Sequence, residues 1–358
     1  MIRQKSLDFL EELLISSGPS GFEEKTAACY RNYLEQFAHN VKTDVTGNTI
    51  AVLNPDSDFK VMLAGHYDEI GFQITHISDE GLLYFRTVGG IDKLTVPCLE
   101  VEILTENHGK IKGVIGKKPI HLLTSSEREK ITELKDMWID IGAENKKEAA
   151  EKITIGDPVA FKANFERFGK YKIKSKGLDD KIGAFVVAEA FRILAESNVT
   201  IGAYTVGTGQ EELGLRGAAT SAFGINPDVG IAVDVGFSTD LPDIDKKQLG
   251  EGKLGAGPFL DRNADNNPVL GRKIRKIADK YNINIQERAG YRASGGTDTA
   301  RMQLTRSGVA TALISIPNRY MHTPVEMCDL RDVENAVNLI VETVKSFKEN
   351  DSFIPGLN

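Results

Sequence analysis

Cysteine is scarce in this chain: Cys29, Cys98 and Cys328 are odd in number and far apart. They can build neither a disulfide framework nor a Cys-x-x-Cys metal site, so reduced thiols are expected. No stretch approaches the roughly 20 apolar residues of a membrane-spanning helix. The opening residues, Met1-Ile2-Arg3-Gln4-Lys5-Ser6, run straight into an amphipathic pattern at Leu7, Leu10, Leu13 and Leu14, with no apolar signal core. A cytoplasmic protein without a membrane partner is therefore the expectation. An excess of positive charge is also missing. The 44 Lys and Arg against 51 Asp and Glu leave a net charge of −7, which gives nucleic acid no general attraction. Neither a fixed-period repeat nor a low-complexity tract is present.

What is present is a globular mixture, 41% hydrophobic and 27% charged, in 358 residues. That length suits about two domains of roughly 150 residues each. Amphipathic spacing predicts helices at about residues 3–16 and 22–38, broken by Gly18-Pro19-Ser20-Gly21. Gly47-Asn48 marks a turn between extended segments at 41–45 and 49–53. Val61-Met62-Leu63-Ala64-Gly65 reads as a strand covered on both faces, and it stops at polar His66-Tyr67-Asp68. From residue 69 to 168 the segments are short, alternating and split by Asp79-Glu80-Gly81, Gly89-Gly90 and Asn107-His108-Gly109, which predicts a β-rich domain.

Beyond it, helices are predicted at 180–196, 213–223, 268–281, 298–308 and 330–347, and strands at 200–208, 229–233, 283–287 and 310–316. The fold class expected is α/β, a mostly parallel doubly wound sheet interrupted by a small β-rich domain. The domain boundaries read 1–68, 69–167 and 168–358. Residues 241–257 are polar and Gly-rich enough for a mobile loop.

Ligands of open α/β sheets lie beyond the carboxyl ends of the strands. There the sequence places His66, Asp68, Glu211, Glu212, Asp234 and His322, while Asp179 and Asp180 open the helix that begins at Lys181. Each has an ordinary explanation alone: a strand-end hydrogen bond, helix capping, a solvated pair or turn chemistry. Convergence on one sheet edge changes the balance, because gathered carboxylates repel unless cations neutralise them. Histidine nitrogen with carboxylate oxygen suits Zn²⁺, Co²⁺ or Mn²⁺, and a dinuclear site is the expectation. Asp68 is placed to hold the free ring N–H of His66. One of Glu211 and Glu212 can bind metal while the other takes a proton, and spacing does not say which. Gly295-Gly296-Thr297 reads either as N–H donors for a carboxylate or oxyanion, or as a flexible turn with Thr297 as helix cap.

At these residues the chain resembles the M42 family of dinuclear metallo-aminopeptidases, the glutamyl and tetrahedral aminopeptidase group. The resemblance rests on Gly65-His66-Tyr67-Asp68-Glu69-Ile70-Gly71, Leu178-Asp179-Asp180-Lys181, Gly209-Gln210-Glu211-Glu212-Leu213-Gly214-Leu215-Arg216-Gly217-Ala218, Asp234, Gly295-Gly296-Thr297-Asp298 and Arg319-Tyr320-Met321-His322-Thr323-Pro324-Val325-Glu326. It implies that Asp179 bridges two metals, Zn or Co, with His66 and Asp234 completing one sphere and Glu212 and His322 the other. Glu211 would be the general base and Asp68 would orient His66. The resemblance also implies a dodecameric tetrahedral homo-oligomer, assembled partly through the inserted domain and acting on peptides. Lys181 stands where arginine is common in that family, Tyr67 where methionine is common, and Val235-Gly236-Phe237-Ser238 departs from its usual wording.

Two other classes fit parts of the pattern. A carbohydrate hydrolase would use Glu211 or Glu212 with Asp234 and no metal. A non-catalytic assembly protein would keep the fold and a structural metal. Arg262, Arg292 and Lys253 near the later loops either favour acidic N-terminal residues of a peptide or are ordinary solvated charges.

Overall fold

The amphipathic N-terminal stretches form helices Gln4–Ile15 and Glu24–Leu34 in the computed structural model, which describes residues 2–38 and 40–356. Leu10, Leu13, Leu14, Tyr30 and Leu34 turn one stripe inward, and each contributes about 1.5–3 kcal/mol by leaving water. The apolar runs become an eight-stranded sheet ordered Val41–Thr43, Thr49–Leu53, Gly202–Thr208, Lys60–His66, Val229–Phe237, Ala310–Asn318, Phe259–Asp261 and Gln286–Arg288. Gly202–Thr208, Lys60–His66, Val229–Phe237 and Ala310–Asn318 are mutually parallel. Thr208 pairs with His66 and Asp234 with Ser315, so the chemistry-bearing strand ends share one edge.

Helices cover both faces. Leu178–Ala195, Pro268–Tyr281 and Leu330–Lys345 pack on one side with the N-terminal pair. Arg216–Ile225 and Thr299–Met302 cover Met62, Ala64, Val206, Ala232 and Leu313 on the other. At Gly65 a Cβ would come within 2.5 Å of the Gly183 and Ala184 backbone, so glycine lets the long helix lie directly behind the strand end.

The segment after His66 forms a closed barrel. Its strands are ordered Gly71–Ile77, Leu83–Val88, Trp138–Asp140, Gly109–Gly116, Glu100–Thr105 and Pro158–Phe161, with the last returning to the first. Alternate residues point inward, as a two-residue period requires, and Phe72, Ile74, Phe85, Ile103, Ile139 and Phe161 form a separate core. A small antiparallel sheet of Glu166–Phe168, Lys172–Ser175 and Glu326–Asp329 leads back to the main sheet.

The junction is pinned by a buried cluster. Glu69 accepts from Lys176 Nζ at 2.6 and 2.7 Å and from the Gly18 N–H at 3.0 Å, and Lys181 Nζ lies 3.1 Å away. Burial alone would raise the Glu69 carboxyl, but the two lysines hold it below its ordinary value. Lys181, the departure noted in the sequence, therefore faces this cluster, and it also donates to the Ser16 carbonyl at 2.8 Å.

Three predicted elements differ. The helix expected at 213–223 starts only at Arg216, because Gly214 and Leu215 adopt φ of 111° and 62° and close a turn first. The helix expected at 298–308 is a single turn, Thr299–Met302, since Arg306 and Gly308 reverse the chain at positive φ. The strand expected at 283–287 is Gln286–Arg288. Residues 241–257 contain a short helix, Lys246–Leu249, and their far end is fastened by the Gly255 and Gly257 N–H groups to Asp332 at 2.6 and 2.7 Å.

Candidate metal centre

His66 ends its strand with 2% exposure, its Nε2 3.2 Å from Asp179 Oδ1 and 3.8 Å from Glu211 Oε2. The other oxygen of Asp179 faces a different ring: Oδ2 is 3.2 Å from His322 Nε2, which is also 3.3 Å from Glu212 Oε1. Potential ligand atoms of His66, Glu211 and Asp234 lie within 4.8 Å of one another, as do those of His66, Asp179 and Glu212. Both histidines are held from behind. His66 Nδ1 lies 3.2 Å from the Asp68 carbonyl oxygen and 3.4 Å from Asp68 Oδ1, and His322 Nδ1 lies 2.6 Å from the Gly90 carbonyl oxygen. Such contacts leave each Nε2 free to face the cleft.

The structure thus gathers His66, Asp68, Asp179, Glu211, Glu212, Asp234 and His322 in one place. Asp180 is turned away. Its carboxylate accepts the N–H groups of His66 at 3.2 Å and Gly183 at 3.0 Å, and so ties strand end to helix start. The Asp179–Asp180 peptide is cis, and both residues keep non-helical angles before the helix settles.

Charge is badly balanced among these side chains. Burial pushes Glu211 well up; His66 opposes this, while Asp234, Asp298 and Glu212 add to it. Burial likewise raises Asp234 and Glu212. Asp179 goes the other way, because hydrogen bonds from His322 and His66 outweigh its burial. Burial also opposes charge on His322, yet Asp179 and Glu212 push it up to about 11. Carboxylates of this kind, with two imidazole nitrogens on opposite oxygens of one aspartate, fit divalent cations by charge and by donor type.

A family model described as M42 glutamyl aminopeptidase matches residues 47–339. The chain belongs to the M42 peptidase family. It is similar to the lysyl aminopeptidase of Pyrococcus furiosus, 36% identical over 96% of this chain and 98% of that protein. A TET aminopeptidase structure from a marine sediment thaumarchaeon superposes with a TM-score of 0.90 at 35% identity, covering 96% of each chain. The Pyrococcus horikoshii TET1 peptidase, described as assembling into a tetrahedron or a large octahedral shell, gives 0.84 at 34% identity over 94% of this chain and 98% of that one. The fold is that of these peptidases and the enzyme is a hydrolase of aminopeptidase type.

Within this M42 peptidase three relationships escaped the sequence pattern. Asp68 does more than face His66: Oδ1 accepts the Glu211 N–H at 3.1 Å and Oδ2 the Glu212 N–H at 3.2 Å. Glu326, 1% exposed, accepts the N–H groups of Asp179 at 2.9 Å and His322 at 2.8 Å. Its place four residues after His322 was the available signal. Asp298 accepts the Thr208 hydroxyl at 2.6 Å, while its Oδ1 is buried without a partner among the described residues.

The cleft in front of these groups measures about 570 Å³ and includes Phe237, Tyr291, Arg292 and Gly295-Gly296-Thr297. The Gly295 N–H is already engaged by Asp265 Oδ2 at 2.6 Å, and the Thr297 hydroxyl bonds the Thr299 hydroxyl at 2.7 Å. The Thr297 helix cap is not formed; the one-turn helix has Asp298 at its cap position, without a side-chain capping bond. Of the three basic residues singled out in the sequence, Arg292 lines the cleft. Arg288 lines it too but pairs with Asp261 at 3.1 Å.

Proposed function

We propose that this aminopeptidase depends on two divalent cations, Zn²⁺ or Co²⁺, and removes N-terminal residues from peptides. The observation that carries this reading is Asp179, whose two oxygens each stand 3.2 Å from a different histidine. Asp179 would be shared, with His66 and Asp234 on one side and Glu212 and His322 on the other. When bound, such cations lower the pKa of water and polarise a carbonyl. Glu211 takes the proton of the attacking water at its carboxylate and delivers it to the departing amine. Asp68 holds His66 and the peptide groups of both glutamates in register.

A sugar hydrolase working through two carboxylates alone is disfavoured, because two histidine nitrogens stand among these carboxylates, on opposite oxygens of Asp179, and such chemistry has no use for them. Arg292 in the cleft supports a preference for acidic N-terminal residues, in keeping with the glutamyl name of the family. We further read residues 69–167 as the assembly domain, between catalytic segments 1–68 and 168–358, in a homo-oligomer of dodecameric type. The exposed apolar side chains of Leu94, Ile120, Leu122 and Ile131 in that segment support this. Free Cys29, Cys98 and Cys328 suit a reducing cytoplasm, and no described helix is long and apolar enough to cross a membrane.

The test is a panel of aminoacyl chromogenic substrates, free and N-acetylated, assayed after chelation and after adding back Zn²⁺ or Co²⁺. Hydrolysis of free glutamyl and aspartyl substrates, restored by metal, is expected. Full activity in chelator would overturn the metal assignment.

A further inference from the structure

Consecutive backbone N–H groups of the loop that carries Glu211 and Glu212 all end on side chains from earlier in the chain. Gly209 donates to Asn48 Oδ1 at 3.1 Å, Gln210 to Glu23 Oε1 at 3.0 Å, and Glu211 and Glu212 to the two oxygens of Asp68. Asn48, Glu23 and Asp68 are all buried. Gln210 holds φ of 56°, a left-handed conformation that non-glycine residues adopt rarely without support. The loop closes on itself through the Gly217 N–H to the Gly209 carbonyl at 3.0 Å and the Arg216 N–H to the Gln210 carbonyl at 3.3 Å.

Glu23 is the unexpected member. It precedes helix Glu24–Leu34, where a carboxylate would ordinarily cap, yet its side chain makes no capping bond to that helix. Its Oε1 instead accepts the Gly21 N–H at 2.6 Å and reaches across to Gln210. A carboxylate buried beside Asp68 is costly, and burial with Asp68 pushes it up to about 7. Gly18-Pro19-Ser20-Gly21, which the sequence offers only as a break between helices, becomes the anchor of this arm. Gly18 and Ser20 donate to the side chain and carbonyl of Glu69, each at 3.0 Å.

We propose that Glu23 is a positioning residue for the hydrolytic step: it fixes the Gln210 peptide so that Glu211 faces His66 and Asp234 while Glu212 faces His322. The inference rests on the assignment of Glu211 as general base. An acceptor oxygen at this place, more than a charge, sets the angle at which the two adjacent glutamates diverge.

The test compares Glu23→Ala, Glu23→Asp and Glu23→Gln in the full chain, reading kcat, KM, thermal midpoint and the visible spectrum of the Co²⁺-loaded protein. Glu23→Ala and Glu23→Asp, which remove or withdraw the oxygen, are expected to lower kcat at least tenfold with KM within twofold, and to alter the cobalt bands. Glu23→Gln keeps a carbonyl oxygen for Gln210 and should restore kcat to within about threefold. If Glu23→Asp and Glu23→Gln shift only the thermal midpoint, with kcat per loaded molecule and the cobalt spectrum unchanged, Glu23 merely supports the fold and the inference fails. Glu23→Asp also decides the matter should Glu23→Ala not fold. An active Glu211→Gln variant measured alongside would instead overturn the base assignment, whatever Glu23 does.

Discussion

His322 Nδ1 lies 2.6 Å from the carbonyl oxygen of Gly90, so the barrel holds a ring that the main sheet presents. The ring is thereby fixed with Nε2 toward Asp179 and Glu212. The neighbouring residue presses from the same side. Gly89 has φ of 78°, and a Cβ there would meet Ile70 Cγ2 at 2.6 Å and Glu212 Oε2 at 3.3 Å.

Gly89→Ala is accordingly expected to destabilise by about 1–3 kcal/mol, the usual strain of a side chain at such an angle, and to lower bound metal by pushing Glu212. Denaturant unfolding and metal analysis check this. An unchanged midpoint with full metal content would contradict it.

Glu211→Gln removes the proton acceptor but leaves the imidazoles and the other carboxylates in place. The expected outcome is a 10²–10⁴-fold lower kcat, or about 3–5.5 kcal/mol of activation free energy, with bound metal unchanged. Steady-state kinetics alongside metal stoichiometry would show it, and retention of most activity would rule out the role.

Glu326→Ala strips partners from two N–H groups, those of Asp179 and His322. Each buried donor left unpaired costs about 1–3 kcal/mol, and both peptides belong to proposed ligands. The variant should unfold at lower denaturant and bind metal more weakly. Wild-type affinity would show that the bracket is dispensable.

Removing metal should make stability depend on pH in a particular direction. Asp179 and Glu212 overcome burial and push His322 from an ordinary 6.5 up to about 11. The folded state then retains a proton that the unfolded chain releases above 6.5. His322's contribution is complete below that value and is lost as pH rises toward about 11. Glu211 and Asp234, raised by burial, act in the same sense. The chelated protein should melt at progressively lower temperature as pH rises across this window. Adding Zn²⁺ near neutrality should release protons, because ligation requires the neutral ring. A melting point flat across the window would refute the assignment.

Much of the architecture was legible because burial writes simple periods. Val61–Gly65 and the run at 229–233 are apolar throughout, the mark of strands covered twice, and the barrel segment alternates. The residues the structure gathers were legible because they interrupt apolar strands at their ends. The role of Glu326 was not, since it opens a short strand and acts by accepting the backbone N–H groups of Asp179, distant in sequence, and His322, which residue type does not announce. The start of the helix at Arg216 was hidden for a different reason. Leu213 and Leu215 continue its apolar spacing, and nothing in residue type announces that Gln210 and Leu215 sit at positive φ. That conformation is imposed by Asp68, Glu23 and Asn48, which local pattern cannot see.

The barrel returns its last strand to its first, so its six strands form a closed ring with no terminal edge strand. If copies of this chain meet there, as proposed above, they would recognise one another by side-chain shape and not by extending a common ribbon. The proposed homo-oligomer would then be bounded by the shape of that contact, where an open edge strand would invite endless addition.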